Sequence, residues 1–273
     1  MQLENSEYSI NFSTNNFLHQ NPQLYNALYE DKEYIMAKFI AKLFEYYGVG
    51  KDILDIGSGL GRDVDYLNSI GYKAMGLDNS QEMLDYSRKK YPNSTFVFGE
   101  QKNFSINKKF DAITCVGSTF LYNLTNKSIE QALKCFNGHL KLGGYIYIDV
   151  RNPLFFLTKD GYSWLRNNLV DEKVIKNQTF KVITRYDIEN KRQILKRNYK
   201  YYFDDELLLE ENLEHRLIFP QEISEYLTKS GFDIIKIFDS PAPHIRDFCK
   251  SKELVFKDSM EGRRMQVLAK KKE

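Results

Sequence analysis

One short stretch, KDILDIGSGLGRD at residues 51–63, narrows the possible folds more than any other. The run DILDI reads as a short apolar strand. It passes directly into three glycines at alternate positions, Gly57, Gly59 and Gly61, with Asp55 two residues before the first. Leu60, Val64 and Leu67 then recur at helical spacing until Gly71 stops the helix. A strand that turns through glycines into a helix is half of a βα unit. Glycine lets the backbone approach a ligand with no Cβ in the way. In an open α/β sheet ligands bind at the carboxyl ends of the strands, where the chain order switches, and this turn falls there.

The pattern continues in kind. KAMGLD (73–78), TFVFG (95–99), FDAITCV (110–116) and YIYIDV (145–150) read as strands. Between them lie a helix limited by Pro92, capped by Asn79 or Ser80, and a second helix, SIEQALKCFNGHL. Apolar strands alternating with helices imply a parallel sheet covered on both faces. Upstream, residues 24–47 read as one helix ending at Gly48, after a polar, Asn-rich arm over 1–20. Beyond Val150 the pattern changes. Residues 178–219 are rich in β-branched and aromatic side chains and predict antiparallel strands joined by turns such as Glu189-Asn190. A helix at 220–230, a strand at 232–238 and a last strand near RRMQVLA return to the α/β pattern. The expected fold is therefore α/β: a Rossmann-like, seven-stranded, mostly parallel sheet with helices on both faces. Residues 1–150 and 220–273 form its core with a helical arm. Residues 151–219 form an antiparallel β lid inserted over one edge.

A dinucleotide would require G-x-G-x-x-G, with the pyrophosphate on a helix N-terminus. Here Arg62 stands at the third position, and Asp55 would repel a pyrophosphate. A Walker loop is absent. The pattern D-x-G-x-G-x-G resembles the first motif of the class I S-adenosylmethionine-dependent methyltransferases, and the resemblance covers residues 50–150. It implies that Asp55, Gly57, Ser58, Gly59 and Gly61 meet the methionine and ribose parts of S-adenosylmethionine, a ligand with two cationic centres and no phosphate. Asp78, closing the second strand in GLDNS with Asn79 beside it, would accept the ribose hydroxyls; a helix cap is its other reading. Glu100 and Gln101 follow the third strand, where the family places an acid near the adenine amino group; a surface loop is the rival. Val116, Gly117 and Ser118 follow the fourth strand, where the family places the acceptor and the sulfonium.

Two subfamilies come near. CVGSTFLYNL followed by YIDVRN resembles glycine and sarcosine N-methyltransferases, in which an arginine after the fifth strand holds the acceptor's carboxylate. Arg151 falls on that position, although Ser118 and Tyr122 replace an asparagine and a histidine. A planar guanidinium pairing two carboxylate oxygens suits such a site; an ion pair with Asp149 is the alternative. LYNALYEDKEY, GEQKNF and QALKCFNGHLKLGG resemble the sugar-nucleotide N-methyltransferases. That likeness would set Tyr25 and Tyr29 over the methyl donor, although two tyrosines four apart on a helix also fit simple packing. In the lid, Arg185, Arg197, Tyr201, Tyr202, His215 and Arg216 lie on alternating strand positions, some inward and some to solvent. Tyr122 and His215 are the candidate general bases, and Tyr25, Tyr122 and His215 the candidate catalytic set. Ser118, Arg151 and Tyr29 are the candidates for holding the acceptor. His19, His139 and His244 have no sequence partner.

The chain of 273 residues carries a formal net charge of +2. That balance favours neither nucleic acid nor an anionic membrane surface, and the Asn/Asp-Pro-Pro-aromatic motif of nucleic-acid amine methyltransferases is missing after the fourth strand. No run is apolar enough to span a bilayer and the N-terminus has no signal-peptide pattern, so a cytoplasmic location is expected. Cys115, Cys135 and Cys249 show no metal spacing and are expected to be reduced thiols; no metal is expected. The expected function is S-adenosylmethionine-dependent methylation, on nitrogen, of a small anionic metabolite. N- or O-methylation of a sugar, sugar nucleotide or phosphorylated metabolite is the alternative within the class. A non-catalytic S-adenosylmethionine-binding protein lies outside it.

Overall fold

The computed structural model describes residue 11 and residues 16–175, 178–240 and 250–273. Most of the polar arm, together with His244 and Cys249, lies outside these. Apolar strands and amphipathic helices alternate as the sequence requires: β1 (Asp52–Ile56), α4 (Arg62–Ser69), β2 (Lys73–Asp78), α5 (Gln81–Lys90), β3 (Thr95–Phe98), β4 (Phe110–Cys115), α6 (Asn126–His139) and β5 (Leu140–Arg151). After the insertion come α8 (Pro220–Lys229), β10 (Phe232–Ser240) and β11 (Arg264–Lys271). The seven strands lie in the order β10-β11-β5-β4-β1-β2-β3. β3, β2, β1, β4 and β5 are parallel to their neighbours, whereas β11 runs antiparallel to both β5 and β10. The order reverses between β1 and β4, so the glycine turn after β1 opens at the switch point.

Alternation along each central strand feeds two cores. Leu54, Ile113, Ile146 and Val267 meet α6 and α8 on one face; Ile53, Ala112, Tyr147 and Leu268 meet α4 and the preceding helix on the other. Ser80, not Asn79, caps α5: its hydroxyl accepts from the Met83 amide at 3.2 Å.

The single helix expected over 24–47 is two, α2 (Pro22–Leu28) and α3 (Ile35–Tyr46), preceded by a short turn, α1 (Phe17–Gln20). The break has a local cause. The Asp31 carboxylate accepts from the Glu33 and Ile35 amides, at 3.0 Å each, and so starts a new helix. Tyr34 sits at φ 52°, in the left-handed region, at the joint. The lid begins with a helix, α7 (Lys159–Arg166), before its strands β6 (Leu169–Ile175), β7 (Gln178–Glu189), β8 (Ile194–Phe203) and β9 (Glu206–Arg216), which pair antiparallel in sequence order. α7 and β6 were not legible, because β6 exposes five consecutive residues and shows no alternation. The inner face of the lid packs Phe180, Val182 and Tyr201 on Phe17 and Leu24 of the arm. Glu211 fastens the two: its carboxylate accepts from the Phe17 amide at 3.0 Å and from the Tyr201 hydroxyl at 2.7 Å.

A buried ion pair joins the sheet where the lid departs. Asp149 on β5 is fully buried. The Arg264 guanidinium donates through Nε to Asp149 Oδ1 at 3.1 Å and through Nη2 to Oδ2. The same carboxylate accepts from the Gly117 amide at 3.2 Å, while Arg264 Nη1 donates to the Ser118 hydroxyl at 2.8 Å. Removing one member of such a pair strands the other charge in a dry site. Arg264→Met should therefore cost about 3–5 kcal/mol, read as a lower urea midpoint, and adding Asp149→Asn should recover much of it. A midpoint for Arg264→Met equal to that of the wild type would contradict this.

Candidate active site

The three glycines of the turn are bare for three different reasons. A Cβ on Gly57 (φ +74°) would meet the Thr119 side chain at 2.4 Å, and one on Gly61 (φ +75°) would meet the Phe96 ring at 2.5 Å. Those two positions are closed by the protein's own packing. A Cβ on Gly59 (φ +50°) would meet nothing within 4 Å, and the same holds at Gly117 (φ +67°) after β4. Gly59 and Gly117 thus border open space at the carboxyl ends of β1 and β4. Gly61, expected to face a ligand, instead lets α4 close on β3.

Among the described residues, two polar groups on this crevice find no protein partner. Ser58 Oγ and Gln101 Oε1 are buried with none, while the Gln101 amide nitrogen donates to the Thr119 carbonyl at 3.1 Å. Buried polar atoms are normally satisfied, so these two suit a polar ligand. Asp78 accepts from the Gly59 amide through Oδ2 at 2.8 Å and from the Ser80 amide through Oδ1 at 2.9 Å. Both bonds hold its carboxylate at the mouth of the turn, and each oxygen keeps a further lone pair. Asn79 donates to Glu100 at 3.2 Å, which joins two more of the sequence-derived positions. Val116 packs against the core that includes α3.

The electrostatics on this side are acidic. Asp55 accepts from the Thr114 hydroxyl at 2.7 Å. Burial, reinforced by Asp63 and Asp78, pushes its pKa up to about 8. Burial likewise raises Asp63 to about 6. A ligand bringing positive charge would relieve this crowding; a pyrophosphate would worsen it. Arg62, which breaks the dinucleotide pattern, serves the arm: its Nη1 donates to the Tyr29 carbonyl at 2.6 Å.

The arm closes over the same crevice. Tyr25 and Tyr29 pack on each other with ring centroids 5.0 Å apart, so the packing reading holds for the pair. Burial raises the Tyr25 pKa, and its neighbours include Arg62, Tyr122 and Asp78, which places it over the turn. His19, which seemed incidental, stacks edge-on against Tyr25 at 5.7 Å, and its carbonyl accepts from Ser80 Oγ at 3.3 Å. Burial lowers its pKa, opposed by Asp78.

Across the crevice the lid contributes a cationic cluster. Tyr122 and His215, distant in sequence, meet edge-on at 4.7 Å. His215 is buried, and neither ring nitrogen has a partner among the described residues. Burial holds its pKa well below the usual histidine range, and Arg197, Arg151 and Arg264 push it the same way. The imidazole is therefore neutral at neutral pH. Ser118, expected to meet the acceptor, is turned to support instead: it is buried at φ 73°, and its hydroxyl accepts from Arg264 Nη1 and from the Arg151 amide at 3.1 Å. The alternative pairing of Arg151 with Asp149 does not form, because Arg264 takes Asp149. Arg151 lies over the Tyr186 ring at 5.3 Å, its Nε buried without a partner. Arg185 points outward and is exposed, whereas Arg197 points inward and is buried. Alternation along β8 carried that information, but the phase was not fixed until the strand was placed. Arg216 pairs with Glu222 at 3.1 Å and is structural. Among the described residues no group of His, Cys, Asp and Glu side chains could hold a metal ion, and no helix is long and apolar enough to cross a membrane.

The fold is that of S-adenosylmethionine-dependent methyltransferases of known structure. Residues 53–144 match the family described as a methyltransferase domain. It superposes on a S-adenosylmethionine-dependent methyltransferase from Clostridium acetobutylicum with a TM-score of 0.71 at 19% identity, covering 92% of this chain and 97% of that one. It superposes on the S-adenosylmethionine-bound amino pentose methyltransferase CalS10 from Micromonospora echinaspora with a TM-score of 0.69 at 15% identity, covering 91% and 97%. Among curated sequences, a dTDP-3-amino-3,4,6-trideoxy-alpha-D-glucopyranose N,N-dimethyltransferase from Streptomyces venezuelae is 26% identical over 118 residues, 43% of this chain and 48% of that protein. The chain spans about half the length of the curated relatives it matches, or less.

The raised Asp55 pKa has a consequence for stability. Between pH 4 and about 8 the folded protein holds a proton on Asp55 that the unfolded chain has released. Stability therefore falls as pH rises through that window. Asp55→Asn should leave the Tm unchanged near pH 3 and raise it increasingly above that of the wild type between pH 5 and pH 9. Parallel Tm profiles for the two proteins would show that Asp55 titrates normally.

Proposed function

We propose that the protein transfers a methyl group from S-adenosylmethionine to nitrogen on a small anionic acceptor held between the glycine crevice and the lid. The observation that carries the reading is the division of charge across one crevice. Carboxylates Asp55, Asp63 and Asp78 stand on the side of the turn, and the arginines stand on the lid side. The acidic side suits the ammonium and sulfonium of the donor, with Asp78 placed for the ribose hydroxyls and Gln101 and Glu100 towards the adenine. The cationic side suits the acceptor's anionic group, with Arg151 its first contact.

The bound donor supplies an already activated methyl group, so the protein's task is positioning. Near-attack geometry is worth roughly 7–11 kcal/mol of barrier. Tyr25 and Tyr29 of the arm and Tyr122 of the turn after β4 flank the place of transfer. His215, held neutral, is suited to orient the acceptor amine by a hydrogen bond, and the proton that the methylated amine loses passes to water. An amine needs no prior deprotonation beyond its neutral form, whereas a hydroxyl would require a stronger base than this cluster offers. Sequence relatives that methylate amino sugars support nitrogen as the acceptor atom. They also favour a second reading within the same site, in which the acceptor is an amino sugar carried on a nucleotide.

The expected result is that S-adenosylhomocysteine raises the Tm of the wild type, with a hundredfold excess over Kd giving about 2.7 kcal/mol. Gly59→Ala, whose methyl meets no protein atom, should fold at a cost of about 1–2 kcal/mol and lose most of that ligand shift. A Gly59→Ala protein that binds S-adenosylhomocysteine like the wild type would overturn the placement of the donor. A screen of amines, amino acids and amino-sugar phosphates for S-adenosylhomocysteine release then identifies the acceptor.

A further inference from the structure

Resting on that functional reading, we propose that the lid carries half of a dianion clamp. Arg197 of β8 and Arg151 of β5 close together on a phosphoryl-type group of the acceptor that bears two negative charges. Arg197 was not distinguishable in the sequence from its neighbours on the lid. In the structure it is 6% exposed, and its guanidinium meets no carboxylate among the described residues. Nη1 donates to the Tyr199 hydroxyl at 3.2 Å and Nη2 to the Tyr122 hydroxyl at 3.4 Å, while Nε is buried with no partner. The rings of Tyr122 and Tyr199 each lie 5.7 Å from the guanidinium carbon. These contacts position the cation without neutralising it.

Arg151 stands beside it. Tyr186, whose ring Arg151 covers, is the cross-strand partner of Arg197. Both guanidiniums act on Tyr199 and on His215. Arginine does not lose its proton in proteins, and an uncompensated buried charge is costly. The third arginine of the cluster, Arg264, is already matched by Asp149. Among the described residues two positive charges are thus left without a counter-charge. A single carboxylate would cancel one; a phosphate monoester or a diphosphate cancels both. The hydrogen-bonding groups agree with this count. The tyrosine hydroxyls accept from Arg197 and keep their own protons, so they can donate alongside the free Nε groups. That many donors converging on one place suits a tetrahedral oxyanion. The clamp also joins lid to core, because one guanidinium comes from each.

The test is calorimetric titration of the full chain, saturated with S-adenosylhomocysteine, using inorganic phosphate, pyrophosphate and acetate as probes. Phosphate or pyrophosphate should bind at least about tenfold more tightly than acetate. Arg197→Lys should weaken that binding roughly 10- to 100-fold while leaving S-adenosylhomocysteine affinity unchanged. Arg185→Lys, on the outer face of the same sheet, should change neither. Tighter binding of phosphate would assign a single phosphoryl group, and tighter binding of pyrophosphate a diphosphate; either supports the clamp. Acetate binding as well as both phosphates, or unchanged phosphate affinity in Arg197→Lys, would overturn it. Arg151→Lys provides the same readout should the first variant fail to fold. Repeating the phosphate titrations without S-adenosylhomocysteine separates the two ideas. Loss of donor binding alone counts against the functional reading, and loss of phosphate binding alone counts against the clamp.

Discussion

The architecture of the site depends on the buried pair between Arg264 and Asp149. β5 and β11 lie side by side, Arg264 opposite Arg151 and two residues along from the partner of Asp149, so the two side chains share a face and a diagonal reach gives a two-pronged bond. Because the same carboxylate also receives the Gly117 amide, and Arg264 also reaches the Ser118 hydroxyl, the turn after β4 is tied to both strands at once. That turn borders the open space between donor side and lid. The pairing also decides the state of Arg151. With Asp149 already engaged, the next arginine along the strand is left to face the lid with its charge unmatched. A buried ion pair adds little net stability by itself, since desolvating two charges offsets most of their attraction. Its effect here is to specify geometry: which arginine is structural and which is available.

Charge is sorted across the crevice by burial as well as by residue type. On one side three carboxylates crowd together, so that Asp55 holds its proton to about pH 8. On the other, His215 is kept neutral by burial and by neighbouring guanidiniums. Each side is in an electrostatic state that a ligand of opposite sign relieves. A cationic donor and an anionic acceptor would meet between them, and neither would be stable in the other's place. The arm and lid complete the enclosure through Glu211, a buried carboxylate that holds both the Phe17 amide and the Tyr201 hydroxyl.

Most of the core was legible in the sequence, because its signals are local. Apolar runs bounded by glycine, together with helical spacing after them, mark βα units wherever the element is buried on a defined face. The break at residues 29–34 was not visible, since the apolar period runs through it; what interrupts it is the side chain of Asp31 bonding its own downstream backbone. β6 was missed because an exposed edge strand has no inside to record. The sequence placed Asp55, Asp78, Gly59, Gln101 and Arg151 at the carboxyl ends of particular strands, and the structure has them there. Ser118 follows β4, but its hydroxyl is engaged by Arg264, which lies 146 residues further on. Arg197, His19 and Arg264 were missed for the same reason: each takes its role from partners in distant segments. Spacing within one segment carries no trace of such contacts.

The sorting of charge is tested most directly by the protons exchanged on binding the donor. S-adenosylmethionine would be titrated into the protein at pH 7 by calorimetry in two buffers of different ionisation enthalpy. Asp55 is then mostly protonated, and a cation arriving beside the carboxylates favours its ionised form. The account predicts that binding releases up to about one proton, and that Asp55→Asn binds with less release. Binding with no proton exchange in the wild type, or heat only with a nicotinamide cofactor, would contradict it.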